Sequence, residues 1–519
     1  MQLLNQIASG ILLAGMCLMA TPAQAYFAGV KNSLDIAVIE QAKDVYFEQI
    51  VSLINNLQIP DIYLEGDKGY MLDNTFVLME TPDDVQFTTD MANNAVIFEV
   101  TDFRGTFFCD HFRYKETIFV AKGSVEVDLK KIKITAGVGF GKQTLADGRM
   151  VPLIEAVDVD MDIDRRDLDI HLHGNIWTDF ASLFEIFFKG TVIGMIEDTA
   201  ESAMNTGIPL IGNTLMTKLD GYFPVPMVPN WVVDWETPQP AVVTDKYFAI
   251  GVKGLMFDSL IGEEDPGVTI PDMPYDDQSR PEKYQAFLSS YAIDGFFNSF
   301  IEVVGIHAWF NSTEVPAAAP MSLTTSTVDI LLPGIKDYYG ADLPVDVYYN
   351  VTKLGSFGVS EANEEMSGLA SLTLEFWVEK TDGSLEMAAD LSLNDVDFKF
   401  TALVDNMDVS LNVTKVNIDS VDVLSDTFGR LSALTIKVKL NNAFRFGLPF
   451  LNIVLAKHQI PIPSNILGLF VLSDLTLGYH DDYVYVGATP TFIGPSSQTK
   501  EAKPEGVSSV SQALSSFTQ

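Results

Sequence analysis

The sequence predicts an α+β fold in two similar halves, each combining apolar helices with a long antiparallel sheet that has one wet and one dry face. Three observations predict it. Period-two alternation recurs along the chain, most clearly in Val157-Asp158-Val159-Asp160-Met161-Asp162-Ile163-Asp164, and such strands need their dry face covered. Stretches with helical periodicity, crowded with aromatic residues, interrupt the strands and can supply that cover. The second half then repeats the plan of the first.

Taken in order, residues 1–25 read as a secretory signal peptide. Ile7 to Ala20 is largely apolar and too short to span a bilayer comfortably, and Ala23-Gln24-Ala25 offers a small-x-small cleavage site before Tyr26, although no basic residue precedes the run. Leu34, Val38, Ala42, Val45, Leu53 and Leu57 fall at helical spacing over residues 34–57, and Ile59-Pro60-Asp61 ends that helix. Alternating strands follow at Val125–Leu129, Val157–Asp164 and Leu168–His173. Residues 178–220 read as one long helix or two abutting ones, interrupted or kinked at Pro209. The prolines between Tyr222 and Pro240 then demand an extended connector.

The second half opens with a strand from Tyr247 to Phe257 and a loop rich in Pro and Asp. Tyr284, Phe287, Leu288, Tyr291, Phe296, Phe297 and Phe300 suggest an amphipathic helix over residues 281–303. Strands are expected at Val345–Val351, Leu391–Phe400 and Val409–Ile418, a helix near Leu440–His458 containing Pro449, and a last strand at Tyr479–Val486. The polar, Ser-rich end is expected to be disordered. The expected divisions are a first lobe at 26–221, a connector at 222–245, a second lobe at 246–492 and a tail at 493–519.

Hydrophobic residues make up 47% of the 519, yet no segment after the leader is an uninterrupted apolar run long enough to cross a membrane. So apolar a chain requires a large buried interior, or an interior that holds something apolar. The net charge is −38, which favours solubility and opposes nucleic acid and anionic membranes at long range. Cys17 belongs to the leader, so Cys109 has no intramolecular partner in the mature chain. Sequons at Asn311, Asn350 and Asn412 support a secretory route to the extracellular space or the lumen on the way to it.

Several stretches carry a resemblance in their order and spacing. They are Gly29-Val30-Lys31 before the first helix, Ile59-Pro60-Asp61 after it, Tyr222-Phe223-Pro224-Val225-Pro226, Phe248-Ala249-Ile250-Gly251-Val252-Lys253-Gly254-Leu255-Met256-Phe257, and Ile460-Pro461-Ile462-Pro463. In these the chain resembles, over essentially its whole mature length, the family of bactericidal/permeability-increasing protein, lipopolysaccharide-binding protein, and the phospholipid and cholesteryl ester transfer proteins. The resemblance implies two elongated barrels, each a curved antiparallel sheet wrapped around long helices, joined end to end by a central sheet as a boomerang. It also implies a lipid held in each barrel, with phospholipid or a similar amphiphile as ligand and a membrane or lipid particle as a transient partner. Lipid-facing candidates are Val38, Val45, Phe184, Phe187 and Phe188 in the first lobe, and Phe287, Tyr291, Phe297 and Phe300 in the second.

The chain departs from that family in two ways. The family's first-lobe disulfide is absent, which leaves Cys109 as an expected buried free thiol. The members that capture lipopolysaccharide use a strongly basic tip; here the corresponding Arg104–Arg149 stretch has nine basic residues against five acidic ones. Arg113, Lys115, Lys122, Lys130, Lys131 and Lys133 are its candidates for anionic headgroups. Asp169, His171 and His173 share a strand face, a set a metal could use, but a polar outer face is the simpler expectation. No nucleophile elbow, phosphate loop or zinc-protease motif occurs. The sequence therefore points to a monomeric, cofactor-free binding protein and not to an enzyme. Its alternatives are a host-defence protein acting on microbial envelope lipid, and an interaction glycoprotein whose cavities are filled by side chains.

Overall fold

The computed structural model describes residues 28–493, apart from 57–58, 65–67, 117–118, 176–177, 219–220, 225–229, 239–240, 304, 315–321, 430, 457–459, 462–464 and 467–469. The expected signal peptide and, from residue 494, the expected polar tail lie outside the described residues. β1 (Val30–Asp35) leads into α1 (Ile36–Gln41) and α2 (Lys43–Asn55). The Asp35 carboxylate starts α1 by accepting the Ala37 N–H at 2.7 Å. The expected helix thus begins two residues later than Leu34, which belongs to a strand.

A first sheet follows, built from β2 (Ile62–Leu64), β3 (Lys68–Met79), β4 (Gln86–Asp90), β5 (Ala95–Glu116), β6 (Phe119–Thr144), β7 (Met150–Ile163) and β8 (Leu168–Asn175). Its order is β2-β3-β5-β6-β7, with β4 on β5 and β8 on β6. The burial of β5 shows how its two very long strands curl. Val96, Phe98 and Val100 point inward, then Phe103, Phe107 and Cys109, then Phe112 and Tyr114. Inward positions change from even to odd and back at the bulges between Val100 and Phe103 and between Cys109 and Phe112. Each bulge bends the strand and resets which face its side chains serve.

The predicted second helix is continuous through three parts: α3 (Thr178–Phe187), a π-turn over Phe188–Val192, and α4 (Ile193–Lys218), which carries Pro209 inside it. Next come β9 (Tyr222–Pro224), β10 (Trp231–Asp234), β11 (Val242–Val243), β12 (Tyr247–Val252) and β13 (Met256–Asp258). β13, β10 and β9 form a small sheet of their own.

Residues 284–289 correct the sequence reading. They form β14 (Tyr284–Ser289), and only the rest of the expected helix is helical, as α5 (Ser290–Val303). All six residues of β14 are buried, polar Gln285 and Ser289 included, so no wet face marks the strand. The chain continues through β15 (Ile306–Phe310), α6 (Thr325–Val328), α7 (Ile335–Tyr339), β16 (Val345–Ser360), β17 (Glu365–Glu379), β18 (Leu385–Asp405), β19 (Asp408–Asp426) and α8 (Ala433–Ala456). It ends in β20 (Ile460–Pro461), β21 (Asn465–Ile466), β22 (Phe470–His480) and β23 (Tyr483–Phe492). The expected strand at 479–486 is therefore a hairpin turning at Asp481-Asp482.

β15 to β20 make a second long sheet in sequence order, and β11-β12-β1-β14-β23-β22-β21 make a third. This third sheet joins the first and last described strands: β1 lies between β12 and β14, and β14 pairs with β23. Two large apolar cores result. One includes Phe47, Phe107, Phe188 and Ile196, and the other includes Val38, Phe376, Leu391 and Ile436. Ile39, Tyr46 and Phe297 pack against both.

Both long sheets are sealed along one edge by a helix in the same manner. Asn213 of α4 accepts the Ile154 N–H and donates to the Ile154 carbonyl, both at 2.7 Å. Glu201 and Glu197 accept the N–H groups of Met161 and Ile163 at 3.2 and 2.9 Å. In the second half, Asn452 of α8 grips Val413 at 2.8 and 2.9 Å, and Asn441 grips Ile418 at 2.8 and 3.1 Å. Side chains here stand in for a neighbouring strand, and so satisfy edge groups that could otherwise recruit another chain.

Candidate functional site

The lipid-facing candidates occupy different environments. Phe184, Phe187 and Phe188 line the first core beneath β5, where Phe184 meets Phe112 at 5.8 Å and Phe188 meets Phe107 at 5.1 Å. Val38 is fully buried in the second core, whereas Val45 is only half-buried. Phe297 stacks on Phe357 at 4.4 Å between the two cores. Tyr291 joins a small cluster with Leu255 and Phe257 against the three-stranded sheet. Phe287 lies on β14, not on a helix, and is packed against Met273 and Tyr485. The loop that carries Met273 is fastened by buried Lys31, which donates to the Met273 carbonyl and lies over the Tyr275 ring at 4.4 Å. The Phe300 side chain lies outside the described residues.

The basic candidates separate into two groups. Lys130, Lys131 and Lys133 are ion-paired with Asp169, Asp167 and Glu99. Arg113, Lys115 and Lys122 are exposed, and among the described residues none of them has a carboxylate within ion-pair distance. Arg113 and Lys122 are moreover direct partners across the β5–β6 ladder. Like charges in that relation repel, so an anion placed between them would relieve the pair.

An open groove of about 670 Å³ surrounds this pair, lined also by His111, Ser124, His173 and the acidic Asp73 and Asp110. The bulge between Cys109 and Phe112 creates it by turning Asp110 and His111 outward in succession. On the far side, Ser124 and His173 are cross-strand partners. β8 approaches there because Gly123 has no side chain; a Cβ on it would stand 1.7 Å from the His173 carbonyl oxygen. Asn74 ties down Asp110, while the buried Oδ1 of Asp73 has no hydrogen-bond partner among the described residues. Phe112 forms part of the lining, so the groove floor continues through Phe184 into the first core.

Cys109 sits behind the groove, its thiol 3.2 Å from the His111 carbonyl and 3.6 Å from that of Asp73. Burial pushes the thiol pKa up to about 12, so it stays protonated and unreactive. The Asp169–His171–His173 face does not assemble as a metal site: Asp169 bonds Lys130, His171 lies 3.9 Å from Asp128, and His173 lines the groove. Among the described residues no group of three His, Cys, Asp or Glu side chains is placed to hold a metal ion. Asn350 and Asn412 lie within β16 and β19 with half-buried side chains, and Asn311 lies just beyond β15.

The sequence reading identified the basic residues but not His111, Ser124, Asp73 or Asp110 as their companions. A usable signal was the outward phase of Arg113, Lys115 and Lys122 against the inward Phe112, Tyr114 and Ala121.

No family model matches the sequence, and no curated protein matches it. Among solved structures the chain is similar to lipopolysaccharide binding protein, with 16% identity over 90% of this chain and 100% of that one, at a TM-score of 0.47. It is also similar to Takeout 1 of Epiphyas postvittana, at 14% identity, 36% and 88% coverage and a TM-score of 0.22. A third is P47 of Clostridium botulinum E1, at 10% identity, 90% and 99% coverage and a TM-score of 0.25.

Proposed function

We propose that the protein is a secreted lipid-binding protein that takes the anionic headgroup of a phospholipid-like amphiphile in the groove at Arg113 and Lys122. It acts by binding and transfer, without chemistry. The observation that carries this reading is the opposed Arg113–Lys122 pair, which has no carboxylate within ion-pair distance among the described residues. Phe112 supports the reading by joining the groove floor to an apolar core, which gives the acyl chains a direction. Two separate cores, bridged by the sheet that holds the first and last described strands, support a two-lobed carrier with an acyl site in each. Burial of a chain contributes about 0.8 kcal/mol per methylene, so such a site needs no further specific contact for affinity. The same basic pair would serve a host-defence role on lipopolysaccharide.

Lipid extraction and native mass spectrometry of the mature protein test the reading. One or two stoichiometric lipids per chain are expected. Binding to vesicles of anionic phospholipid should weaken steeply with salt, and Arg113→Ala/Lys122→Ala should reduce it about tenfold or more and flatten the salt slope. Lys130→Ala should change little, because its charge is already neutralised. A lipid-free protein that refuses added phospholipid would sink the carrier reading and leave an interaction protein with filled cores.

A further inference from the structure

The outer face of the second long sheet carries a feature unconnected with the groove. Trp309 on the edge strand β15 is 45% exposed, and its ring lies 5.2 Å from Tyr348 and 5.9 Å from Trp377. Strand alternation places these rings opposite the core, since Val347, Leu374 and Phe376 point inward. The registers set three adjacent rows on this face: His307–Asn350–Thr373–Ser392, Trp309–Tyr348–Glu375–Asp390, and Asp346–Trp377. None of these rows contains a lysine or arginine.

The neighbours of the rings are amide, hydroxyl and carboxylate groups. Two of them are awkward without a ligand. Glu375 and Asp390 are like charges directly opposite each other across the ladder. Asp390 Oδ1 is buried with no hydrogen-bond partner among the described residues. Glu375 accepts the Trp377 indole N–H at 2.9 Å, and hydroxyl donors arriving from outside would screen what remains of the repulsion.

An aromatic bilayer anchor is a poor match, because interfacial aromatics work alongside cations that meet phosphates, and here carboxylates take those places. A sugar chain fits both halves of the surface. Its C–H faces would lie on the exposed Trp309 ring and the half-buried Tyr348 and Trp377 rings, and its hydroxyls donate to the carboxylates.

We propose that this face is a carbohydrate-binding platform, in which Trp309, Tyr348 and Trp377 stack against a neutral oligosaccharide and Glu375 and Asp390 accept hydrogen bonds from its hydroxyls. The platform acts independently of the lipid groove.

Titration of the full chain with cellohexaose, chitohexaose and maltohexaose, followed by tryptophan fluorescence and calorimetry, tests it. Saturable binding of at least one probe is expected, with Trp309→Ala weakening it at least tenfold and Glu375→Gln several-fold. Circular dichroism of both variants must match the parent, and Arg113→Ala/Lys122→Ala must bind the probe normally. Absence of binding to all three probes at millimolar concentration overturns the proposal. So does binding that survives Trp309→Ala, or loss in that variant of adhesion to neutral phospholipid vesicles in place of sugar.

Discussion

Asp294 gives the sharpest quantitative test of how the two cores are joined. It is 1% exposed on α5, and one carboxylate oxygen accepts the Phe357 N–H at 2.9 Å while Oδ2 has no hydrogen-bond partner among the described residues. Burial raises its pKa from 3.8 to about 6, against a smaller opposing effect of the Phe357 N–H. The ionised form is therefore the disfavoured one in the folded protein. The cost is absent below about pH 4, grows as pH rises through 6, and is complete above it. At about 1.4 kcal/mol per pH unit, the folded state carries about 3 kcal/mol at pH 8. Asp294→Asn keeps the acceptor for Phe357 and removes the charge, but leaves an amide N–H₂ without a partner at about 1 kcal/mol. Urea unfolding should thus show the variant about 2 kcal/mol more stable than wild type at pH 8, and equal or slightly less stable at pH 4. The comparison of the two proteins at each pH cancels every other titrating group. An identical difference at both pH values would refute the reasoning.

Two further outcomes follow from the edge seals and the buried thiol. Asn213→Ala removes both hydrogen bonds to Ile154 and should cost about 1–3 kcal/mol, with faster hydrogen exchange at the Ile154 amide; unchanged exchange there would show that the seal is idle. Cys109 should resist iodoacetamide at pH 8 in the native protein and react fully in urea, because burial and a thiol pKa of about 12 act together. Native labelling at the rate of a free thiol would contradict that placement.

Much of this fold was legible in the sequence. The alternation at 125–129 lies within a strand that covers one core face, and period two survives there because one side stays wet; at 157–163 and 391–400 it lies in strands that change phase at a bulge. β14 was not legible, because Tyr284, Phe287 and Leu288 share helical spacing with Tyr291 of the helix that follows, although they lie in a strand buried on both faces. The length of β5 was hidden for a different reason. Its two bulges reverse the alternation, so a fixed period finds only fragments of a 22-residue strand. The basic candidates were visible as residues, but their difference was not. Whether a lysine is neutralised depends on the strand across the ladder, and Lys130 meets Asp169 where Lys122 meets Arg113.

The bulges have a consequence for how this chain can change over time. Between two of them a strand behaves like a reading frame, with inside and outside assigned by parity. Loss or gain of one residue inverts that assignment, but only as far as the next bulge, where the count starts afresh. Deleting one residue between Phe103 and Cys109 would expose Phe107 while leaving Phe112 and Tyr114 in phase. Insertions that arrive as new bulges are therefore the tolerable kind, and a long curled sheet can lengthen by one residue at a time without scrambling the face that holds its core.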